Sequence, residues 1–376
     1  MATKRLCFEE VNPSNYEEVC EQLHPRSGHR IVVDDSNLYS LGGYNPDFWE
    51  VEDAEDTYYP LFKELWKFNF ATMKWRKLQT SNNMPKELAS HAVCRSDRYL
   101  MCFGGTGIPF GEASSNQLHI LNLSTLTWEC VACRGDFPEK KYGHTLTLDG
   151  SHLYVCGGTT GFMYNVDVHQ LDLRSREWKE LKTTCQTAPT GRYRHEVAFD
   201  GTHLYLFGGG TAIETHDFET LWRFDVQNHV WQTIKTYPDS VNGFPLGRRC
   251  HSCSQFQDDV YICGGLSRGL KGFDDLWKFS LVFHTWTQIP SRMDQPKFFH
   301  SADITPEGCL FIFGGVTEYD TKRTNKISKI WLQIPSLKES AWECICQVLN
   351  MDKIAEQTEL SLLSLGIPRN YAKRLS

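Results

Sequence analysis

Six adjacent glycine pairs, Gly42-Gly43, Gly104-Gly105, Gly157-Gly158, Gly208-Gly209, Gly264-Gly265 and Gly314-Gly315, recur at intervals of 50 to 62 residues, each directly after a short apolar run such as Leu204-Tyr205-Leu206-Phe207. A histidine stands 13 residues before the first glycine of five pairs (His29, His91, His144, His195, His251) and 14 before the sixth (His300). Downstream follow an apolar residue with an aromatic or polar neighbour (Leu65-Trp66, Leu118-His119, Val168-His169, Leu221-Trp222, Leu276-Trp277, Ile330-Trp331) and then a lone tryptophan (Trp75, Trp128, Trp178, Trp231, Trp286). Each unit therefore offers four short segments of period two separated by turn chemistry, which predicts a four-stranded blade. Glycine is expected there because a side chain would collide with the neighbouring blade. Recurrence in every unit assigns the histidines to the repeat, since a catalytic histidine would be needed once, beside a partner of its own.

From about Arg26 to Trp331 these units resemble kelch repeats, which build β-propellers. The fold class expected is all-β, a six-bladed kelch propeller over residues 1–335 with a small α-helical region over 336–376. The sixth unit lacks its tryptophan strand because Pro335 and a helical pattern intervene. Residues 5–11, which alternate polar and apolar ahead of Asn12-Pro13, are predicted to pair into the last blade and close its open edge.

The formal net charge of −7 argues against a nucleic-acid or membrane partner attracted by a global basic excess. No signal-like or membrane-length apolar segment is read at the start or elsewhere, so a cytoplasmic or nuclear location is expected. Fourteen irregularly spaced cysteines fit reduced thiols, and Cys130 and Cys133 supply only two of the four ligands of a zinc site, so no metal and no cofactor is expected. The acidic stretch 47–60, with Glu50, Glu52, Asp53, Glu55 and Asp56, reads as a solvated excursion.

After Pro335, Ser336 with Glu339 forms a capping box, and Leu337, Ala341, Ile345 and Val348 fall on one helical stripe. A second helix is predicted from Thr358 to a glycine stop at Gly366, and Pro368 suits the first turn of a third. The run 336–345 resembles the elongin-binding box of cullin-ring ubiquitin ligase receptors. That resemblance implies Leu337 as the anchor in an elongin C pocket, Ala341 at the small-residue position and Ile345 at the apolar end. Ile367-Pro368 resembles the apolar-proline element of a cullin-2 box, so the tail looks like a VHL-type box. The other reading is a plain cap whose stripe is buried on the propeller.

Segments such as Gly104-Gly105-Thr106-Gly107, Arg192-Tyr193-Arg194-His195 and Gly247-Arg248-Arg249-Cys250-His251 resemble a family of kelch receptors serving cullin-2 with elongins B and C and a ring-box protein. The resemblance implies recognition of client C-termini, a free carboxylate after small residues such as glycine or alanine. A carboxylate calls for guanidinium donors, a hydroxyl and tight walls. Three residues before the blade histidines stand Arg26, Lys141, Arg192, Arg248 and Lys297, with Arg194 and Arg249 adjoining and Tyr142, Tyr193, Phe298 and Phe299 as walls. The family pattern implies Ser252 and Ser301, directly after their histidines, as carboxylate hydroxyls. Family receptors also draw arginines from loops after a glycine pair, where this chain offers Thr211 and Glu214 after Gly209. The degron-binding set expected is Arg192, Tyr193, Arg194, Arg248, Arg249, Ser252 and Ser301. The opposing reading of the arginines is salt bridging between blades. No Walker loop or His-Glu-x-x-His occurs, so no enzyme is expected. The alternative function is a kelch scaffold in cytosolic stress-kinase or phosphatase signalling without ligase contacts.

Overall fold

The computed structural model describes residues 7–48, 60–184, 186–318 and 322–375. Most of the acidic stretch 47–60, and Arg5 and Leu6 of the predicted closing strand, lie outside these residues. Six four-stranded antiparallel sheets follow one another around a central channel, blades two and three each adding a two-residue fifth strand in parallel. Their inner strands, Arg30–Val33, Ala92–Ser96, Thr145–Asp149, Glu196–Phe199, Ser252–Phe256 and Ser301–Ile304, contact one another in sequence around that channel, the last returning to the first.

The expected closure occurs. Strand Glu9–Val11 pairs with Ile327–Trp331 as the outer strand of blade six, so the two ends of the chain share one sheet. The repeat register in that blade differs from expectation: Ile327 pairs with Phe313 as Leu276 pairs with Cys263, so Ile327-Ser328 is the equivalent of Leu276-Trp277. Ile330-Trp331 looked equivalent because it offers the same letters three residues later, and only strand pairing separates the two.

The glycine–histidine register is a contact between blades. A methyl placed on the first glycine of a pair would lie 2.5–3.1 Å from the imidazole Cε1 of the next blade, from Gly42 against His91 round to Gly314 against His29. The second glycine of each pair lies against its own blade's histidine, with 2.5–3.0 Å to that Cβ. All six first glycines also have φ between +54° and +67°. The tryptophans fill the wedge farther out: Trp75 packs on Phe313 of blade six at 5.0 Å and Trp178 on Phe103 of blade two at 5.2 Å.

These histidines are buried and neutral. Burial holds all six imidazoles far below the ordinary value, with neighbouring cations adding to the effect, and His91, His195 and His300 fall to about 3. The Nε2 atoms of His29 and His195 meet the carbonyls of Phe313 and Cys156 in the preceding blade at 3.1 and 3.2 Å.

Past Pro335 the chain forms four short helices, Leu337–Val348, Met351–Ala355, Glu359–Ser364 and Arg369–Ala372. Ser336 caps the first by accepting Glu339 N–H at 3.2 Å and Thr358 caps the third, while Met351–Ala355 was not expected. Glu339 does not return the bond as a full capping box would; its carboxylate instead receives Arg374 at 2.7 and 2.9 Å and the Tyr371 hydroxyl at 3.1 Å. Trp342, Met351, Leu362, Ile367, Tyr371 and Leu375 form a core that packs on Ala71 of blade one. This attachment lies at the end of the propeller where the inner strand of blade one turns at Asp34, and Arg374 reaches Asp35 there at 3.6 Å.

Gly104→Ala would set a methyl 2.5 Å from His144 and 2.9 Å from the Lys141 carbonyl; the expected cost is about 2 kcal/mol or more. Gly150→Ala, which meets nothing within 4 Å, should cost only about 1 kcal/mol of left-handed strain. Urea unfolding of the two variants checks the difference. The same assay against pH tests the histidines. Because their folded values are depressed, their stabilisation is complete above 6.5 and is lost as pH falls toward about 3. Each histidine contributes a slope of about 1.4 kcal/mol per pH unit once the unfolded imidazole is protonated. A flat profile between pH 7 and 5 would contradict their neutral burial.

Candidate functional site

The residue directly before each blade histidine builds a floor across the channel. Gly28, Ser90, Gly143, Arg194, Cys250 and Phe299 all have left-handed φ, between +52° and +67°. Each donates its N–H to the carbonyl of the equivalent residue in the preceding blade, Ser90 to Gly28, Gly143 to Ser90, Arg194 to Gly143, Cys250 to Arg194, Phe299 to Cys250 and Gly28 back to Phe299, at 2.8–3.1 Å. The ring is closed and every member is both donor and acceptor, so its backbone groups are satisfied by one another. One residue earlier, Ser27, Ala89, Tyr142, Tyr193, Arg249 and Phe298 pair through their backbones with the loops that follow the glycine pairs. Those loops are thereby raised as walls above the floor.

Floor and walls enclose a cup of about 280 Å³, near the lower end of the ~300–1,000 Å³ of small-ligand sites. Tyr44, Phe110, Tyr142, Tyr193, Phe298 and Phe299 line it, with hydroxyls from Ser27, Ser90 and Thr106 and guanidinium groups from Arg194 and Arg323. Arg194 is the one cation on the floor ring, in a left-handed conformation that an arginine adopts at a cost of about 1 kcal/mol or more. Its Nη2 donates to Ser90 Oγ across the ring, its guanidinium lies 4.7 Å over the Phe299 ring, and its Nε has no hydrogen-bond partner. It forms no ion pair among the described residues; burial, with Arg30 nearby, lowers it to about 10. A buried guanidinium without an ion-pair partner favours an anion.

Of the expected degron set, Tyr193 and Arg194 line the cup and the other five do not. Arg248 is fully buried in its own blade, bidentate to Asp275 at 2.5 and 3.0 Å. Arg192 is buried too, donating to the carbonyls of Thr190 and Gly208 at 3.1 and 3.2 Å. Lys141 with Asp167 and Arg26 with Glu64 repeat the arrangement as clamps within their blades, Lys297 pairs with Asp294 in the link from blade five, and Arg192 forms no ion pair among the described residues; none of the five lines the cup. Arg249 is buried, with Nη1 3.4 Å from the Glu214 carbonyl. Ser252 Oγ meets His300 Nε2 at 3.0 Å, and Ser301 Oγ accepts the Ile31 N–H at 2.9 Å, so both hydroxyls lie below the floor in contacts between blades.

Sequence reading missed Arg323, Ser27, Ser90, Tyr44 and Phe110. Arg323 sits in the hairpin after Gly314-Gly315, with Nε 3.2 Å from Ser27 Oγ and its guanidinium 5.7 Å from the Tyr44 ring. Inspecting the loop after the sixth glycine pair, as the loop after the fourth was inspected, would have found it.

Beneath the floor the channel widens to about 550 Å³. Arg30 and Glu196, from blades one and four, pair across it at 3.0 Å. Asp303 there accepts the N–H groups of Val33 and Ile304, and burial raises its carboxyl to about 6. Among the described residues no three His, Cys, Asp or Glu side chains are grouped to hold a metal ion. Gly265-Leu266-Ser267-Arg268-Gly269 matches the spelling of a nucleophile elbow, yet Ser267 sits in a turn whose hydroxyl accepts Lys271 N–H at 2.9 Å, with no following helix.

The tail presents a second feature. Glu339, Trp342 and Cys346 of helix Leu337–Val348 face the propeller, while Leu337 is 89% exposed and Ala341, Cys344 and Val348 share its outer face. Ile345 is partly buried against the helical core. Ile367 belongs inside that core and only Pro368 is exposed, which corrects the expectation of Ile367 as a cullin contact: its side chain is used in packing. The tail thus docks as a cap would, but through the face opposite the predicted stripe.

The sequence model of the KLHDC2/KLHL20/DRC7 kelch-repeats domain matches residues 5–209 and 181–347. The chain is similar to kelch domain-containing protein 10 of Homo sapiens, 43% identical over 354 residues that cover 93% of this chain and 79% of that protein. The Drosophila melanogaster homologue of that protein is 37% identical over 378 residues, 93% of this chain and 61% of its own. Kelch domain-containing protein 3 of Bos taurus is 28% identical over 270 residues, 69% and 66% of the two chains.

Arg248→Ala strands Asp275 in a buried site and should cost about 3–5 kcal/mol. Arg194→Ala removes a cation with no ion pair and should cost about 1.5 kcal/mol or less. Thermal melting of the two variants distinguishes the clamp from the cup.

Proposed function

The chain belongs to the kelch domain-containing protein 10 family of kelch-repeat propellers, and from that premise we propose that it is the non-catalytic client-binding subunit of a cullin-2 ubiquitin ligase, acting with elongins B and C and a ring-box protein in the cytoplasm or nucleus. In this reading the cup holds the free C-terminus of a client, and the tail carries the client to ubiquitination and proteasomal degradation.

The observation that carries the proposal is the exposed outer face of the capped helix Leu337–Val348, at the far end of the propeller from the cup. A leucine, an alanine and a valine spaced along one side of a helix anchored by its opposite face make a ready insert for a hydrophobic groove. The cup supports the other half. Its floor is a closed ring of backbone hydrogen bonds, too narrow for an extended polypeptide to thread, which suits a chain end. A C-terminus brings a carboxylate to the Arg194 guanidinium, which has no ion-pair partner among the described residues.

The test has two arms. Purified elongins B and C should co-elute with the chain, and Leu337→Asp should remove them without lowering the melting temperature. A labelled peptide ending in glycine should bind, and amidating its carboxylate should weaken it by about 1.5–3 kcal/mol. Arg194→Ala should weaken binding of the free peptide and leave the elongins bound. Equal binding of free and amidated peptides would remove the chain-end role, and elongins retained by Leu337→Asp would remove the ligase role.

A further inference from the structure

The rim of the cup carries exposed apolar side chains: Ile213 and Leu270, 74% and 41% exposed, stand singly at the tips of the loops after the fourth and fifth glycine pairs, while those of blades two and three stand together. Phe110, which lines the cup from the loop after the second glycine pair, is 47% exposed, and Phe162 and Met163, at the tip of the loop after the third, are 80% and 64% exposed. Single exposed apolar residues are ordinary, but three large ones joined at the mouth of a site call for an occupant.

They are joined by construction. Gly111 and Gly161, both left-handed, bring the two loops into backbone contact: a methyl on either would lie 3.0 or 2.6 Å from the Cα of the other. The tips are held as well. Gly111 N–H donates to Thr106 Oγ1 at 3.0 Å, and Thr160 N–H and Thr159 Oγ1 both donate to the Met163 carbonyl, at 3.1 and 2.8 Å. The Phe110 ring is fixed from the other side by an edge contact with Tyr44 at 4.9 Å. Phe110, Phe162 and Met163 therefore form an ordered apolar shelf running outward from the cup over blades two and three, and order in advance of binding lowers its entropic cost.

We infer that this shelf seats apolar residues of the client lying several positions upstream of its C-terminus. The inference rests on the chain-end reading of the cup. With the floor closed, a polypeptide whose end occupies the cup can leave only across the rim, and an extended chain advancing about 3.3 Å per residue reaches the rim within a few residues. Across the mouth, among the described residues of the blade-six hairpin, Lys322 is exposed and Arg323 half-buried. An apolar stretch exiting the cup finds three apolar side chains on joined loops over blades two and three, where blades four and five offer one each. Recognition then extends beyond the final residues, and clients sharing one terminus are ranked by what precedes it.

The test uses three peptides with the same last four residues and a free terminal glycine: the tetrapeptide, a decapeptide with leucines at alternate upstream positions, and a decapeptide with serines there. Fluorescence anisotropy with the full chain should find the leucine decapeptide tighter than the serine one by about tenfold or more. The double variant Phe162→Ser with Met163→Ser should erase that preference and leave the tetrapeptide affinity unchanged. Equal affinities of the two decapeptides, or a tetrapeptide weakened as much as the leucine decapeptide, would overturn the shelf while leaving the cup. If light scattering finds a dimer that the double variant dissociates, and peptide ranking is unmoved, the shelf is an interface between copies and the inference fails. Failure of the cup itself reads out separately, as a tetrapeptide indifferent to amidation.

Discussion

An imidazole edge laid against a bare α-carbon, repeated six times around a ring, is the contact on which this protein depends. The first glycine of each pair admits the histidine of the next blade, the second admits the histidine of its own, and the last link joins Gly314 to His29. Interiors packed this closely tolerate no added methyl. The contact also fixes the histidines' chemistry. Buried and uncharged, they serve as spacers and hydrogen-bonding partners between blades. Strand Glu9–Val11 completes the circle through backbone hydrogen bonds, by pairing with the last strand of the propeller in blade six.

The same register generates the candidate site. Holding each histidine at the blade boundary leaves the preceding residue left-handed, and six such residues hydrogen-bond head to tail into a floor. A left-handed position favours glycine, and this ring carries Gly28, Gly143, Ser90, Cys250, Phe299 and Arg194. The arginine is the costly choice. It has no ion-pair partner among the described residues, whereas Arg248, only three residues ahead of its own histidine, is neutralised by Asp275. Two guanidinium groups so similarly placed in the chain differ because the earlier position points into its own blade, beside the residue that opens the third strand, and the later one points at the axis.

The tail depends on a different interaction. Arg374, next to the last described residue, reaches back to Glu339 in the first turn of the helix Leu337–Val348, with Tyr371 completing the carboxylate's shell. Burying an ion pair adds little net stability but is expensive to mis-assemble, so it favours one arrangement of helix faces. That arrangement turns Trp342 inward and Leu337 outward. Cup and helix then occupy opposite ends of a rigid body, which suits a part that holds one partner and presents it to another.

Sequence alone determined the six blades, the four-stranded pattern of each unit, the closing N-terminal strand, the assignment of the histidines to the repeat and the capped helix after Pro335. These were legible because they follow from periodicity and from glycines whose spacing admits one explanation. Tertiary structure decided which arginine lines the cup, because Arg192, Arg194, Arg248 and Arg249 differ by side-chain direction, and the partners of the last three lie more than twenty residues away. It decided the register of blade six, where two apolar–polar pairs three residues apart spell the same pattern. It also decided that Ile367 packs while Leu337 is exposed. Local sequence encodes conformation through nearby backbone preferences, but the use of a polar or apolar side chain depends on what the fold brings against it.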